Sequence, residues 1–423
     1  MTLLAQLSAA DPDYDPEDLP VAVARRLVLK AISPLAGRES LPIRAALGRI
    51  VPEAIRSPID VPPANNSALD GFALRGADLV KGAETVLTEI GTALAGHPYT
   101  GRIAPGQCVR IMTGALMPAD ADTVVARELA RAASGSVTLA PGAKPGQNWR
   151  RAGEDLAAGH VAVPAGTRLA AAELGLLASL GIREVSVAPR VRVALLSTGD
   201  ELREIGEPLE PGQLYDSNRY TLHALLTRLG CVVEDFGVIA DDAALLRSKL
   251  ETALARSDVV VASGGISVGD ADFTGTLMAS LGEVLAWKLA MRPGRPFVFG
   301  HLQQGLQPAW LFGLPGNPVA AMLSFIQFVR PAILKLAGST DFALPTLPAR
   351  LTADIRKKPG RTEFPRGIVT FTPDGPQVEP FTKQGSGILS SMSRANGLIV
   401  LEHKRGDVAA GDLVQVQMLA GLL

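Results

Sequence analysis

From about residue 189 the chain alternates short apolar runs with amphipathic segments. The runs "VRVALLS", "CVVEDFGVIA" and "DVVVAS" are typical of buried strands, whereas "SNRYTLHALLTRLG" and "DAALLRSKLETALARS" between them have helical periodicity. Strands separated by helices of this length predict βαβ units and therefore an α/β fold with a parallel-rich sheet. Three further predicted strands, "VLAWKLA", "PFVFG" and "AWLFGL", precede a long apolar helix, "NPVAAMLSFIQFVRPAILKLAG".

The regions on either side of this α/β segment have different patterns. Residues 20–50 begin with helical periodicity that breaks at Pro34, and 169–182 returns to it. Between about 56 and 146, short strands separated by glycine and proline predict a β-rich unit. Alternating strands over 345–423 ("ARLTADIR", "GIVTFT", "GLIVLE", "LVQVQML") predict a small β-barrel or sandwich.

The composition excludes several classes of function. With 41 basic and 42 acidic residues the net charge is -1, so no strong field favours nucleic acid or an anionic membrane. The amino terminus lacks a secretory pattern and no run of about 18 apolar residues occurs, which predicts a soluble cytoplasmic protein. Cys108 and Cys231 lie far apart, which argues against a disulfide framework or structural zinc and favours a reducing compartment.

Three glycine-containing turns follow predicted strands: "STGDEL", "SGGISVGD" and "GLPGNP". Ligands of open parallel sheets bind at the carboxyl ends of the strands, so together these turns predict a binding crevice. In the last turn Asn317 is a suitable N-cap and Pro318 suits the first helical position, which would leave N–H groups facing a ligand. A single turn of this kind is more often a simple chain reversal than a ligand site.

Charged side chains follow the same strands. Glu201, Asp241 and Asp272 could converge at this edge, and carboxylates beside a phosphate usually share Mg²⁺ with it. The alternative for Asp241 is a helix N-cap. A basic turn, "KLAMRPGRPF", suits oxyanions, although a solvated loop is an equally good interpretation. Neither a GxxxxGK[ST] loop nor a GxGxxG fingerprint is present, which disfavours a P-loop NTPase or an NAD enzyme.

Several longer motifs occur together in order: "PPANNSALDGFALR", "RIMTGA", "RRAGEDL", "LLSTGDEL", "YDSNR", "SGGISVGDADFT", "KLAMRPGRPF" and "GLPGNPVA". In this order they resemble the MoeA family, the molybdopterin molybdenumtransferases, over about residues 20–415. The eukaryotic relatives of this family include the gephyrin E domain.

The resemblance implies a four-domain subunit. Domain I would be discontinuous (1–55 with 147–188), with a β-rich domain II (56–146) inserted in it. An α/β molybdopterin-binding domain III (189–340) and a C-terminal β-barrel, domain IV (341–423), would follow. It also implies a homodimer whose active site lies between domain III of one subunit and domain II of the other, so that Asp70 would reach across.

The activity implied is insertion of molybdate into adenylylated molybdopterin, with release of AMP in the presence of Mg²⁺. Molybdopterin adenylyltransferase and molybdoenzyme apoproteins or chaperones would be the protein partners. No nucleic acid or membrane partner is expected.

The resemblance carries over a set of site residues by motif. The catalytic set is Asp70, Thr113, Glu201, Asp241, Asp272 and Lys288, of which Glu201, Asp241 and Asp272 would bind the metal. Contacts to pterin and phosphate would come from Ser263, Gly264, Gly265, Ser267, Arg292, Arg295, Pro315, Gly316, Asn317, Pro318, Asp216, Asn218 and Ser386. For Asp155, a structural role is as good an interpretation as a catalytic one.

Four positions depart from the family pattern. Arg292 replaces a common lysine, which keeps the charge but changes its geometry. Asn65 replaces an aspartate and Phe72 a tyrosine. Ala320 stands where several relatives have serine, so an oxyanion contact from that hydroxyl is not expected here.

Two other functions remain open at this stage. A molybdopterin adenylyltransferase shares the α/β domain and its SGG loop, and a non-catalytic scaffold would bind the pterin or a partner protein. The additional domains and "NNSALDGFA" favour the molybdenumtransferase over the first, and the retained carboxylates favour an enzyme over the second.

Overall fold

A six-stranded mixed sheet forms the centre of the α/β part of the molecule. The computed structural model describes residues 2–240, 242–264, 280–304 and 307–422. In the central sheet the first four strands are parallel to one another, and each of the last two runs antiparallel to its neighbours. In spatial order they are Val232–Ile239, Arg192–Thr198, Val259–Ser263, Gln307–Leu314, Pro296–Gln304 and Gly282–Lys288. The predicted α/β fold with a parallel-rich sheet is confirmed.

The central strands are apolar on both faces because a core lies on each side. Val193 and Leu195 pack into one core with the helices Val21–Ala31 and Ser217–Arg228. Ala194 and Leu196 face a second core, with the helix Ala243–Arg256. Burial on both faces explains why the sequence shows continuous apolar runs here rather than alternation.

The long apolar helix lies inside the molecule. It consists of Pro318–Ser324, a π-helical turn Phe325–Val329, and Arg330–Leu336. Within the described chain it is the one helix long and apolar enough to cross a membrane, but 89% of its apolar window is buried in the protein. It is therefore a core helix.

Proline explains the π-helical turn. Pro331 has no N–H to donate and its ring would collide with the carbonyl of Gln327 in a regular α-helix. That carbonyl instead accepts a hydrogen bond from Arg25 Nε at 3.2 Å. The side chain of Gln327 also accepts from Arg25 and donates to Gln417 Oε1 at 2.8 Å. The π-helical turn thus connects the core helix to the helix Val21–Ala31, through Arg25, and to the strand Leu413–Met418, through Gln417.

The amino-terminal part pairs sequence-distant segments around an inserted sheet. Glu39–Pro42 pairs with Glu184–Val187, and Ile55–Arg56 pairs with Val161–Val163. The helices Leu3–Ala9 and Ala171–Ser179 belong to the flanking segments. The inserted six-stranded sheet has the spatial order Thr123–Ala126, Gly71–Leu74, Gln107–Ile111, Thr85–Ala93, Ser136–Leu139 and Ala130–Ala133. This is the predicted β-rich insertion in a discontinuous unit.

The carboxyl-terminal strands close into a five-stranded barrel, which decides between the barrel and the sandwich. Its order is Thr346–Leu351, Gly375–Pro380, Arg366–Thr372, Gly397–Val400 and Leu413–Met418. Gly375–Pro380 was missed from sequence because prolines interrupt its pattern. A short helix, Ser390–Arg394, precedes the fourth strand in the chain.

Both cysteines are free, buried thiols. Burial raises the pKa of Cys108 and of Cys231 to about 12. Because the thiolate is the reactive form, neither residue is expected to react with a thiol-specific aromatic disulfide reagent at pH 8 in the native protein. Two thiols should react after denaturation in guanidinium, and rapid native labelling would contradict this account.

Candidate active-site cleft

The ends of three neighbouring strands bring together the described residues of the three predicted turns, which for "SGGISVGD" are Ser263 and Gly264. Ser263 lies in register with Ser197 on one side and with Leu314 on the other. The N–H of Gly264 donates to the carbonyl of Leu314 at 3.3 Å. Gly264 has φ +79°, and a Cβ there would lie 2.3 Å from the carbonyl oxygen of Thr198. This edge therefore requires glycine both for its backbone conformation and for the close approach of the first turn.

Asn218 joins two of these turns from behind. Its side-chain amide donates to Ser263 Oγ and to the carbonyl of Gly316, both at 2.8 Å. Asp216 caps the same helix by accepting from the N–H of Arg219 at 3.1 Å, and its carboxylate also pairs with that guanidinium at 3.2 Å. With 2% of its surface exposed, Asp216 holds the helix rather than facing open space.

A cavity of about 580 Å³ lies against these turns and extends to the barrel. Eight of the predicted site residues are among those that line it: Glu201, Gly264, Arg292, Arg295, Pro315, Gly316, Asn317 and Ser386. Ala320, which replaces a serine of several relatives, lines it as well. Arg361, Gln384 and Gly385 of the barrel line it as well and were missed from sequence. The basic turn "KKPGR" was the signal that could have pointed to Arg361.

Glu201 places a carboxylate in the cleft. This position of the side chain requires glycine at residue 199, which has φ +146°, because a Cβ there would lie only 2.6 Å from a Glu201 carboxylate oxygen. Glu201 is exposed and its carboxylate accepts no hydrogen bond from the described residues. A free, hard oxygen donor of this kind suits Mg²⁺. Among the described residues no group of three or more acidic, histidine or cysteine side chains is arranged so that it could hold a metal ion.

Some predicted residues lie outside the described chain or away from the cleft. Asp241, Gly265, Ser267 and Asp272 lie outside the described residues. The N-cap of Ala243–Arg256 is Asp242, which accepts from the N–H of Leu245 at 2.8 Å, so the structure gives this capping role to the neighbour of Asp241. Lys288 does not line the cavity; its ammonium pairs with Glu17.

The core helix meets the barrel at its first turn. Asn317 is its N-cap, followed by Pro318, but the Asn317 side chain makes no capping hydrogen bond. The N–H of Val319 donates to the carbonyl of Ser386 at 3.0 Å. The prediction that the first-turn N–H groups remain free for a ligand is therefore wrong for Val319, because the barrel segment docks there.

A buried arginine fixes the barrel segment that lines the cleft. Arg366 is 0% exposed and donates to the carbonyls of Gln384 and Gly385 at 3.1 and 3.0 Å, and to Ser391 Oγ at 3.0 Å. Burial lowers the pKa of Arg366 to about 10, so the guanidinium is still charged at neutral pH. With these carbonyls and that of Ser386 all occupied, the segment presents a fixed edge to the cleft.

Asp70 and Thr113 form a second polar cluster, in the β-rich sheet. Asp70 precedes the strand Gly71–Leu74, and Thr113 follows Gln107–Ile111. Asp70 Oδ1 accepts from Thr113 Oγ1 at 2.7 Å and from the Thr113 N–H at 2.8 Å. These bonds hold the pKa of the Asp70 carboxyl below its usual value, the side-chain bond having the larger effect. Neither residue lines the cleft of the same chain.

Three further residues that the family motifs single out have ordinary structural contacts. Asn65 Oδ1 accepts from the N–H of Ala152 at 2.9 Å, and Phe72 is buried in a core. Asp155 is exposed, and its N–H donates to the carbonyl of Val61 at 3.0 Å. Asn65 and Phe72, which both depart from the family pattern, are therefore accommodated by local contacts: a hydrogen bond for Asn65 and core packing for Phe72.

Thr113→Val is expected to raise the pKa of the Asp70 carboxyl towards its ordinary value. The substitution removes the hydroxyl donor that favours the ionised form but leaves the backbone N–H in place. The pKa can be followed by carbon-detected NMR of the carboxyl as a function of pH. Thr113→Ser, which keeps the hydroxyl, should leave the value low; equal values in the two variants would contradict the assignment.

Comparison with known proteins agrees with this architecture along the chain. The family models for the MoeA N-terminal region (domain I and II), a probable molybdopterin binding domain, and the MoeA C-terminal region (domain IV) match residues 19–181, 194–335 and 348–419. Their order reproduces that of the inserted sheet, the central sheet and the barrel.

The chain is similar to curated proteins over nearly its whole length. A molybdopterin molybdenumtransferase of Haemophilus influenzae is 41% identical over 95% of this chain and 98% of the relative. One of Nostoc is 36% identical, over 90% of this chain and 88% of the relative. The crystal structure of a molybdopterin biosynthesis moeA protein from Pyrococcus horikoshii superposes with a TM-score of 0.82 at 28% identity, covering 95% of this chain and all of the other.

A match of this extent does not favour the shorter adenylyltransferase alternative, because it includes the inserted sheet and the barrel. The chain belongs to the MoeA family, the molybdopterin molybdenumtransferases of molybdenum cofactor biosynthesis.

Proposed function

We propose that this enzyme inserts molybdate into adenylylated molybdopterin and releases AMP in a cleft completed by a second copy of the chain. The observation that carries the proposal is that one cavity is lined by residues of all three glycine turns, by Arg292 and Arg295 of the basic turn, and by residues 384–386 of the barrel. Asp70 and Thr113 lie outside that cavity in the same chain, which supports their coming from the partner of a homodimer.

The cleft offers groups suited to each part of this substrate. The backbone of Gly264 and Gly316 can approach phosphate closely, and Asn218 keeps the two turns in register. Arg292, Arg295 and Arg361 provide charge for phosphate and for the tetrahedral oxyanion molybdate. Release of AMP would be a hydrolysis, in which the oxygen of water bonds to phosphorus as a P–O bond of the phosphoanhydride breaks, and the arginines would stabilise the charge on the leaving phosphate.

Mg²⁺ is the proposed metal, and it would supply positive charge to the phosphates as the anhydride breaks. Glu201 would hold it, with Asp241 and Asp272 as the other proposed ligands. Lys288 and the Asp70–Thr113 pair are the remaining proposed catalytic groups. We assign pterin and phosphate contacts to the residues that the family motifs give, with Asp216 acting through the helix that carries Asn218.

The domain bounds 1–55 with 147–188, 56–146, 189–340 and 341–423 form part of the proposal. A molybdopterin adenylyltransferase would supply the substrate, and molybdoenzyme apoproteins or chaperones would accept the product. The balanced net charge and the buried apolar helix support a cytoplasmic enzyme without a nucleic acid or membrane partner.

The direct test is AMP release from adenylylated molybdopterin and Mg²⁺, with and without molybdate. The proposal expects release that depends on molybdate and is lost in Glu201→Gln. Glu210→Gln is the matched control, because Glu210 lies in the following loop and does not line the cleft. Tight pterin binding without AMP release would indicate a scaffold, and adenylyl transfer from ATP would indicate the preceding enzyme of the pathway.

A further inference from the structure

An acidic segment near the amino terminus is docked beside the basic turn "KLAMRPGRPF", residues 288–297, which we call the basic loop. We call residues 11–18, "DPDYDPED", the acidic strap. The N–H of Lys288 donates to the carbonyl of Pro16 at 2.7 Å, and the N–H of Leu19 donates to the carbonyl of Lys288 at 2.9 Å. Leu19 is fully buried, and Trp287 Nε1 donates to Tyr14 Oη at 3.2 Å. The backbone and two large side chains thus hold the strap independently of its charges.

The end of the strap brings its acidic groups to two cations of the basic loop. The Glu17 carboxylate pairs with the Lys288 ammonium, and the Glu17 carbonyl accepts from Arg295 at 3.1 Å. Asp18 lies 4.0 Å from the same guanidinium. All four side chains remain 41 to 69% exposed, so a dissolved anion can reach them.

Arg295 connects the strap to two adjoining cavities. It lines the active-site cleft and also a second groove of about 900 Å³, whose wall includes Asp18. The same groove has three exposed cations whose side chains make no ion pair with described residues: Arg356, Lys358 and Arg361. The groove wall also includes Glu363 and Asp407, so it is mainly rather than wholly cationic. The strap faces one side of it, and the three unpaired cations lie in the rest of the wall.

We propose that Glu17 and Asp18 are specificity-determining residues that lower the affinity of this surface for small oxyanions. A small anion such as phosphate must compete with two carboxylates that are tethered to Lys288 and Arg295. A substrate with several negative charges can also contact the unpaired cations of the groove, so the competition lowers its affinity less than that of phosphate. This inference rests on the proposed function: the strap keeps the cleft available to the pterin substrate, and molybdate, as a small oxyanion, would meet the same competition at Arg295.

The strap also contains its own control. Asp13 is exposed, and its backbone N–H donates to Asp11 Oδ1 at 3.2 Å. The Asp13 carboxylate contacts neither Lys288 nor Arg295. Asp13→Asn removes the same charge from the same segment as Glu17→Gln or Asp18→Asn, and therefore measures the general effect of net charge.

The test is titration calorimetry of inorganic phosphate into the full-length protein at low ionic strength. We expect Glu17→Gln and Asp18→Asn each to bind phosphate about threefold to tenfold more tightly than the unmodified protein, with Asp13→Asn within about twofold of it. Equal tightening in all three variants, or none in the first two, would overturn the proposal.

This measurement separates the inference from the proposed function, because it requires no turnover. If AMP release failed while phosphate affinity followed the expected order, the strap would still tune anion binding but the proposed reaction would be lost. If AMP release were normal and phosphate affinity did not change, the inference alone would fail.

Discussion

Asp70→Ala is expected to reduce molybdate-dependent AMP release by at least about a hundredfold, the usual scale for loss of a preorganised charged group at a reacting centre. The carboxylate is exposed, ionised and held in one orientation by Thr113. Asp70 and Thr113 are both exposed, so we expect their pairing to contribute little to packing and the thermal midpoint to stay nearly unchanged. Initial rates of AMP formation at saturating substrate measure the effect.

A nearby acidic residue provides the comparison for Asp70. Glu128 is also exposed in the β-rich part of the chain, beside the strand that pairs with Gly71–Leu74. Glu128→Ala removes the same charge and should retain AMP release. Full activity of Asp70→Ala, or an equal loss in both variants, would remove Asp70 from the proposed site.

Gly264→Ala is expected to lower the free energy of unfolding by about 2 to 4 kcal/mol, because the new side chain meets both a left-handed backbone and a steric clash. The Cβ would lie 2.3 Å from the Thr198 carbonyl, so the strand ends must separate. The same movement shifts Gly264 relative to Gly316. The two residues are close, since a Cβ on Gly316 would lie 3.8 Å from the Gly264 Cα. We expect AMP release to be lost with it.

Gly230→Ala separates the two causes. Gly230 has a similar φ of +87°, but a Cβ there would meet no atom within 4 Å. This variant should show the backbone cost of about 1 to 2 kcal/mol and retain activity. Chemical denaturation compares the two variants; equal stability losses would show that the close approach to Thr198 contributes nothing.

The central sheet could be predicted because its information is local. Strands such as Val259–Ser263 are uninterrupted apolar runs, and the helices between them have clear periodicity and caps. The edge at which the turns meet follows from the rule that parallel strands share a carboxyl end. The π-helical turn was not predicted, although Pro331 marks it, since the group that donates to the freed Gln327 carbonyl is Arg25, which is far away in sequence.

The cleft itself depended on contacts that sequence spacing does not contain. Arg366 binds the backbone carbonyls of Gln384 and Gly385, and such contacts have no sequence signature. Pairing of Lys288 with Glu17 joins positions 271 residues apart. The N–H of Val319 donates to the carbonyl of Ser386 in the barrel, which is again a contact between residues far apart in sequence. Family motifs identified several cleft residues, but their mutual arrangement required the tertiary structure.

The account's central claim is that one active site combines residues of two chains, and subunit mixing tests it most directly. Asp70→Ala and Glu201→Ala, each inactive alone, are denatured together in equal amounts and refolded, and AMP release is measured. A mixed dimer then holds one site with both residues intact, so random pairing predicts about one quarter of the unmodified activity. If the mixture stayed inactive although mixed dimers had formed, the two residues would belong to the same chain's site and the claim would be contradicted.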